Sequence, residues 1–282
     1  KNIHVICDKP LTHNLEDAEK FLESTKKSKA LFALTHNYTG YPMVRQAREM
    51  FRNGEIGNLR VIQVEYAQDW LTLPIENEGQ KQASWRTDPS KAGMGGSIGD
   101  IGSHAFNLVD FITGAKLNEL CADISSFVPG RKNDDNAHVL LRYENNVKGM
   151  LWSSQVAPGN ENALRIRIYG DKGGMEWEQE NPNYLTVDIF GKAKKIIRRA
   201  GNETIDIGNR ITRIPPGHPE GYLEGFANIY SDFAKQILAF KDNQKPEKDI
   251  LLVPSIEDGV KGVKFITTVV ESGSNGGKWI KF

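Results

Sequence analysis

Asn2-Ile3-His4-Val5-Ile6-Cys7-Asp8-Lys9-Pro10, followed after one helix by Ala30-Leu31-Phe32-Ala33-Leu34-Thr35, decides the fold class. The first apolar run reads as a short buried strand. Asp8-Lys9-Pro10 ends it, because proline cannot donate to a central ladder. The second run is a buried strand of the same kind. Between them Leu15, Ala18, Phe21, Leu22 and Thr25 recur at helical spacing, which predicts a helix over 15–28. Strand, helix, strand within about 35 residues is one parallel βαβ unit. One unit cannot make a stable sheet alone, so this segment reads as the end of a larger doubly wound sheet.

Further along, Pro42 opens a helix over 42–53, with Met43, Val44, Ala47, Met50 and Phe51 on one face and Gly54 placed as its C-cap. From Leu59 the period switches to two, and Ile62, Val64 and Tyr66 alternate with Gln63 and Glu65. A long loop is expected over 67–95, a length usually associated with function. After a helix near 97–113 the pattern becomes strand-rich, with strands at about 119–127, 137–144, 147–156, 163–170, 173–178, 184–190 and 194–199. Asn145-Asn146 and Gly170-Asp171-Lys172-Gly173 are turn signals, so consecutive strands are expected to pair antiparallel. Two helices close the chain. The first, over 220–240, carries an apolar stripe of Leu223, Phe226, Ala227, Tyr230, Phe233, Ala234, Ile237 and Leu238. The second, over 256–272, is opened by Ser255 with Asp258 three residues on, a capping-box variant.

The 282 residues are 39% apolar and 26% charged with a formal net charge of zero, which gives no drive toward nucleic acid or anionic membranes. No apolar run approaches the roughly 20 residues that span a bilayer. Cys7 and Cys121 sit in apolar strand-like surroundings and read as two buried free thiols, which fits a cytoplasm-like compartment.

Three features could carry chemistry. Lys9 sits where a parallel strand meets its helix, at the carboxyl edge where open α/β sheets bind ligands; a solvated turn lysine is the alternative. Asp100 and His104 in Gly99-Asp100-Ile101-Gly102-Ser103-His104 are four apart on a helix, so they face one way and form a pair suited to general-base work. The alternative is an ordinary helix N-terminus with Asp100 facing the dipole. The glycine cluster from Gly93 to Gly102 matches neither a dinucleotide fingerprint nor a P-loop, and reads as backbone that approaches a ligand or partner closely. A zinc site would need further ligands, and no metal site is expected. Asp134, Asp135 and His138 read as a solvated hairpin end. Lys192, Lys194, Lys195, Arg198 and Arg199 read as a solvated edge strand. Trp85-Arg86 could stack on and clamp a ligand or merely anchor the loop, and His218-Pro219-Glu220-Gly221-Tyr222 leads into the long helix.

Val5-Ile6-Cys7-Asp8-Lys9-Pro10-Leu11 together with Gly99-Asp100-Ile101-Gly102-Ser103-His104 resembles the Glu-Lys-Pro and Asp-x-x-x-His motifs of the glucose-fructose oxidoreductase / inositol dehydrogenase / rhizopine catabolism (Gfo/Idh/MocA) family, with Asp8 where that family has Glu. Asn53-Gly54-Glu55-Ile56-Gly57 looks like the family's helix-to-sheet junction. Trp85-Arg86 and His218-Pro219-Glu220-Gly221-Tyr222 look like a branch acting on sugars, glycosides or anhydrosugars such as levoglucosan. The resemblance covers the whole chain. It implies an α/β plus α+β fold: the C-terminal part of a Rossmann (doubly wound parallel) domain over 1–38, with the helix at 255–273 packing back on it, then an α/β domain over 39–282 with a large open antiparallel sheet. It also implies that the family's glycine-rich turn lies upstream of this sequence.

The same resemblance implies a dehydrogenase that passes hydride from a secondary hydroxyl of a sugar, glycoside or polyol to NAD or NADP, and a homodimer or homotetramer formed through the open sheet. In that scheme Lys9, Asp100 and His104 are catalytic. His104 is the base, Asp100 orients the substrate and stabilises protonated His104, and Lys9 donates to the reacting oxygen or, as a second choice, serves as base. Asp8, Lys9, Pro10, Asn37, Trp85 and Arg86 are assigned to the cofactor, with Pro10 expected in the cis form. Tyr38, Trp70, Asp100, His104, His218 and Tyr222 are assigned to the sugar. Two rival readings are a sugar-binding or sensing homologue without catalysis, and a fragment that does not bind cofactor.

Overall fold

The computed structural model describes residues 3–282, so Asn2 at the head of the first expected strand lies outside the described residues. The chain opens with β1 (Val5–Cys7), α1 (Leu15–Lys26) and β2 (Phe32–Leu34). β1 and β2 pair in parallel, Val5 opposite Phe32 and Cys7 opposite Leu34. Asn14 caps α1 by accepting from the Asp17 amide at 2.8 Å. α2 (Pro42–Arg52) follows a turn at Asn37–Gly40 and ends at Asn53-Gly54, where Gly54 has φ 75°.

β3 (Leu59–Ala67) leads into 68–95, which is not the plain loop its composition suggested. Gln80 caps α3 (Lys81–Arg86) by accepting from the Ala83 amide, and Asp88 caps α4 (Pro89–Ala92) by accepting from the Ser90 amide. Single-turn helices bury too little to show a period, so the caps were their only signal. A π-helical turn at Ile98–Gly102 then runs into α5 (Ser103–Thr113). Next come β4 (Leu117–Ser125), β5 (Asn136–Tyr143), β6 (Lys148–Ser154), β7 (Ala163–Gly170), β8 (Gly173–Glu178), β9 (Tyr184–Ile189) and β10 (Lys195–Arg198). α6 (Asp206–Asn209), α7 (Tyr222–Lys241), α8 (Ile256–Ser274) and β11 (Ile280–Lys281) complete the chain.

The nine-stranded sheet has the order β10-β9-β8-β7-β3-β6-β5-β4-β11. It is antiparallel except at its centre, where β3 pairs in parallel with β6 from Val61 opposite Lys148 to Ala67 opposite Ser154. That pair departs from the all-antiparallel expectation and brings the carboxyl ends of both strands to one edge. Asn145 and Asn146 take φ of 56° and 61° in the β5–β6 turn, as the left-handed turn requires. One face of the sheet is covered by α2, α5 and α8, with Ile62, Val64, Leu141 and Ile166 buried against Phe106 and Phe265, whose rings stack at 4.2 Å. On the other face Val61, Leu140 and Met150 are exposed. α8 has two contacts. Its first half, with Ile256 and Val263, shares a small core with Leu11, Ala18 and Leu34 of the βαβ unit, and its second half joins the main core. Its expected capping box is present, Asp258 Oδ2 accepting from the Ser255 amide at 2.6 Å.

Four expectations are corrected. On α7 the expected apolar stripe goes inward only at Phe233: Leu223 is 76% and Leu238 58% exposed, and the rest of the buried face is Gly225, Asn228, Ile229 and Asp232. Polar anchors select that face. Asp232 pairs with fully buried Arg45 at 2.7 Å, and Asn228 donates to the Gly40 carbonyl at 2.9 Å. At that crossing a Cβ on Gly40 would lie 2.1 Å from the Gly225 carbonyl oxygen, so the backbones meet directly. Arg199 is buried rather than solvated, held by Glu220 and Asn183. The cysteines are free but only half buried. Asp134 and Asp135 are buried rather than solvated.

Asp134 fastens the helix that carries Asp100 and His104. Its Oδ1 accepts from the Gly96 amide at 2.6 Å, and its Oδ2 from Ser97 Oγ at 2.7 Å and the Ile98 amide at 2.9 Å. Gly96 is required there, since a Cβ would lie 1.9 Å from the Asp134 carbonyl oxygen. Asp134→Ala removes the acceptor of the Gly96 and Ile98 amides and one of the partners of Ser97 Oγ, and is expected to cost about 3 kcal/mol in urea unfolding. The exposed control Asp123→Ala should stay within about 0.5 kcal/mol.

Candidate active site

A cavity of about 860 Å³ opens where the carboxyl ends of β1, β2, β3 and β6 meet the π-helical turn and α3. Lys9 enters from the end of β1, immediately before a cis peptide to Pro10. Its Nζ donates to Asp100 twice, to Oδ1 at 3.1 Å and to the backbone carbonyl. Arg86 Nε reaches Asp100 Oδ2 at 3.1 Å from α3, and Gln155 Nε2 reaches the same oxygen at 2.9 Å from the end of β6. Burial pushes the Asp100 carboxyl up, but the Lys9 and Arg86 cations and their hydrogen bonds outweigh it, so the group stays below the ordinary carboxylate range.

His104 lies on the other side of this cluster. Its Nδ1 is 3.5 Å from His36 Nδ1, and its ring meets that of Tyr38 edge-on at 4.9 Å. Among the described residues it makes no hydrogen bond with Asp100. The π-helical turn places one more residue in the turn than an α-helix would, so the i,i+4 pairing expected from the sequence does not form, and Asp100 turns to Lys9, Arg86 and Gln155 instead. Burial first, then the Lys9 cation and His36, hold His104 well below the ordinary imidazole value. Burial and the Lys9 cation lower His36 to about 3. Both imidazoles are therefore neutral at neutral pH. Tyr38 and Tyr66 share a hydrogen bond of 2.5 Å, and Tyr66 continues to Asn162 Oδ1 at 2.7 Å. Burial raises Tyr38 to about 12, so its phenol stays protonated.

Most sequence-selected residues meet here. Asp8, Lys9, Pro10, Asn37, Tyr38, Trp70, Trp85, Arg86, Asp100, His104 and Tyr222 all line the cavity. Asp8 accepts from Thr35 Oγ1 at 2.6 Å and so ties the end of β1 to that of β2. The Arg86 guanidinium lies over the Trp85 ring at 4.3 Å. His218 is the exception, lying in a neighbouring cavity. Sequence reasoning missed His36, Tyr66, Gln68, Gln155 and Asn162. His36 had a usable signal, since His36-Asn37-Tyr38 follows β2 as Asp8-Lys9-Pro10 follows β1. Gln68 and Gln155 had none, because their meeting depends on the parallel β3–β6 pair.

Residues 44–176 match the profile of the GFO/IDH/MocA C-terminal domain. The chain is 33% identical over 285 residues to an uncharacterized oxidoreductase, YfiI, of Bacillus subtilis (strain 168), covering 99% of this chain and 72% of that protein. It belongs to the Gfo/Idh/MocA oxidoreductase family. An oxidoreductase from Sinorhizobium meliloti superposes with a TM-score of 0.88 at 52% identity, over 99% of this chain and 73% of that one. An inositol dehydrogenase homologue from Azotobacter vinelandii, solved with NADH and myo-inositol, superposes with a TM-score of 0.89 at 30% identity, over 99% and 72%.

The two histidines carry a pH signature. Their folded values lie below the unfolded value of 6.5, so the unfolded chain binds protons that the folded chain refuses. Their stabilising effect is complete above pH 6.5 and is lost as pH falls toward about 3. Urea stability is expected to fall through this window, and His36→Gln should make the fall shallower by about one proton. An unchanged slope in the variant contradicts the assignment.

Proposed function

We propose that this chain acts as a nicotinamide-dependent dehydrogenase that oxidises a secondary hydroxyl of a sugar, glycoside or polyol. The observation that carries this reading is the convergence of Lys9, Asp100 and His104, from two distant segments, on one polar cavity at the carboxyl edge of a parallel strand pair. The NADH and myo-inositol of the Azotobacter vinelandii structure support it.

The residues present fit the nicotinamide end of the cofactor. Asn37 is buried, lines the cavity and has no partner for Nδ2 among the described residues, a donor suited to a carboxamide oxygen. Lys9, Pro10, Trp85 and Arg86 surround the same space. A nicotinamide held there supplies the hydride acceptor. The protein's own part is the proton and the charge. His104 is neutral, and with Nδ1 turned to His36 it leaves Nε2 for the substrate hydroxyl, whose proton it takes. The Lys9 ammonium has three donors. Two serve Asp100 and the third faces the reacting oxygen, where it stabilises alkoxide character as it develops. Asp100 positions Lys9 and Arg86 and accepts from a neighbouring substrate hydroxyl. The exposed Val61, Leu140 and Met150 on the outer face of the sheet support self-association through that face, as a dimer or tetramer.

The test is titration of NAD⁺ and NADP⁺ into the chain, then turnover of sugars and polyols with whichever binds. Lys9→Ala and His104→Ala are each expected to lower turnover by roughly 10²–10⁴ with the fold intact by circular dichroism. The acid limb of kcat/KM should fall below pH 6.5, because a base with a lowered pKa loses activity only when pH drops through that lowered value. Near-normal turnover in either variant sinks that residue's role.

A further inference from the structure

A second cavity, of about 910 Å³, adjoins the first. Glu161 and Asn162 line both. One segment also serves both, since Gly217–Gly221 borders the second and Tyr222 the first. The floor of the second cavity is tied together by hydrogen bonds. Buried Arg199 donates from Nη1 to Glu220 Oε1 at 3.0 Å and from Nε to Asn183 Oδ1 at 2.7 Å, and Asn183 Nδ2 donates back to the Glu220 carbonyl at 2.9 Å. Glu220 Oε2 is buried and has no partner among the described residues, so the floor keeps accepting capacity. Above the floor stand Glu161, Asn181, Tyr184, Arg198 and His218, whose side chains make no hydrogen bond among the described residues.

This lining selects a ligand class. A carboxylate, an amide and a guanidinium offer acceptors and donors to closely spaced hydroxyls, and the flat Tyr184 and His218 rings offer apolar faces to ring C–H groups. Both charge signs are present, so neither a phosphate nor a wholly apolar ligand is favoured. A single sugar at His104 would leave this space empty. We propose that the second cavity is a subsite for the non-reacting sugar of a disaccharide or other glycoside, whose reacting sugar sits beside Lys9 and His104. This rests on the dehydrogenase reading of the main cavity. Binding of the remote sugar fixes the position of the reacting carbon, which is how non-reacting parts of a substrate aid the chemical step. It also accounts for His218, which lies outside the main cavity yet belongs to the loop that leads into Tyr222 at the start of α7.

The test is calorimetric titration of the full chain, with NADH present, using glucose, galactose and myo-inositol against maltose, cellobiose, lactose and sucrose. Wild type is compared with Asn181→Ala and Tyr184→Ala, both remote from Lys9, Asp100 and His104. At least one disaccharide is expected to bind roughly tenfold tighter than its component sugars. Both substitutions should erase that gain and leave monosaccharide binding unchanged. Monosaccharide binding with no gain for any disaccharide, or a gain that survives both substitutions, overturns the subsite and leaves the dehydrogenase reading standing. Absence of binding by every sugar overturns both.

Discussion

The Asp100 carboxylate is the point at which this structure is held together for function. Lys9, Arg86 and Gln155 reach it from β1, α3 and β6, three elements far apart in sequence. A buried carboxylate in an apolar setting would protonate or be expelled. Here two cations and an amide outweigh the cost of burial, so the charge persists and in turn fixes the side chains that pair with it. Removing any one partner would leave the others imperfectly neutralised, which is why breaking a buried ion cluster costs more than the cluster contributes over an apolar replacement.

Support for that carboxylate comes from the sheet and from a buried acid, Asp134. The parallel β3–β6 pair sends Gln68 and Gln155 to the same edge. Asp134 grips the backbone at Gly96–Ile98, immediately before the π-helical turn. Without that grip the first turn would have unpaired amides facing a buried loop, and the position of Asp100 would be set by nothing stronger than chain continuity. The glycine cluster thus serves close approach, as its composition indicated, but most tightly to another part of the same chain.

What was legible in the sequence had a short-range cause. The βαβ unit shows in its hydrophobic period, the Ser255–Asp258 box in its spacing and the Asn145-Asn146 turn in its tolerance of positive φ. Lys9, Asp100 and His104 were legible as a pair of motifs. What was not legible depended on partners distant in sequence. The inward face of α7 follows from Arg45, about 190 residues before Asp232, and overrides the apolar stripe. Asp134 and Arg199 read as solvated because charged residues usually are, and only their tertiary partners make burial tolerable. The π-helical turn leaves no mark in spacing, so the Asp100–His104 pairing inferred from four-residue separation failed at the very place where the helix departs from its ordinary period.

That departure has a chemical consequence. Had Asp100 paired with His104, its charge would have raised the imidazole's basicity and favoured a retained proton. With Asp100 turned to Lys9 and Arg86, His104 faces neutral His36, Tyr38, Tyr66 and the field of the Lys9 cation. In the proposed reaction this arrangement treats the two stages differently. While the substrate oxygen gains negative charge, Lys9 stabilises it, and the proton on His104 has an anion beside it. Once hydride has left and the product is a neutral carbonyl, the imidazolium has lost the anion beside it, while the Lys9 ammonium remains, paired with Asp100. Burial and the Lys9 cation then disfavour a retained proton, so His104 releases it to solvent and returns to its neutral form.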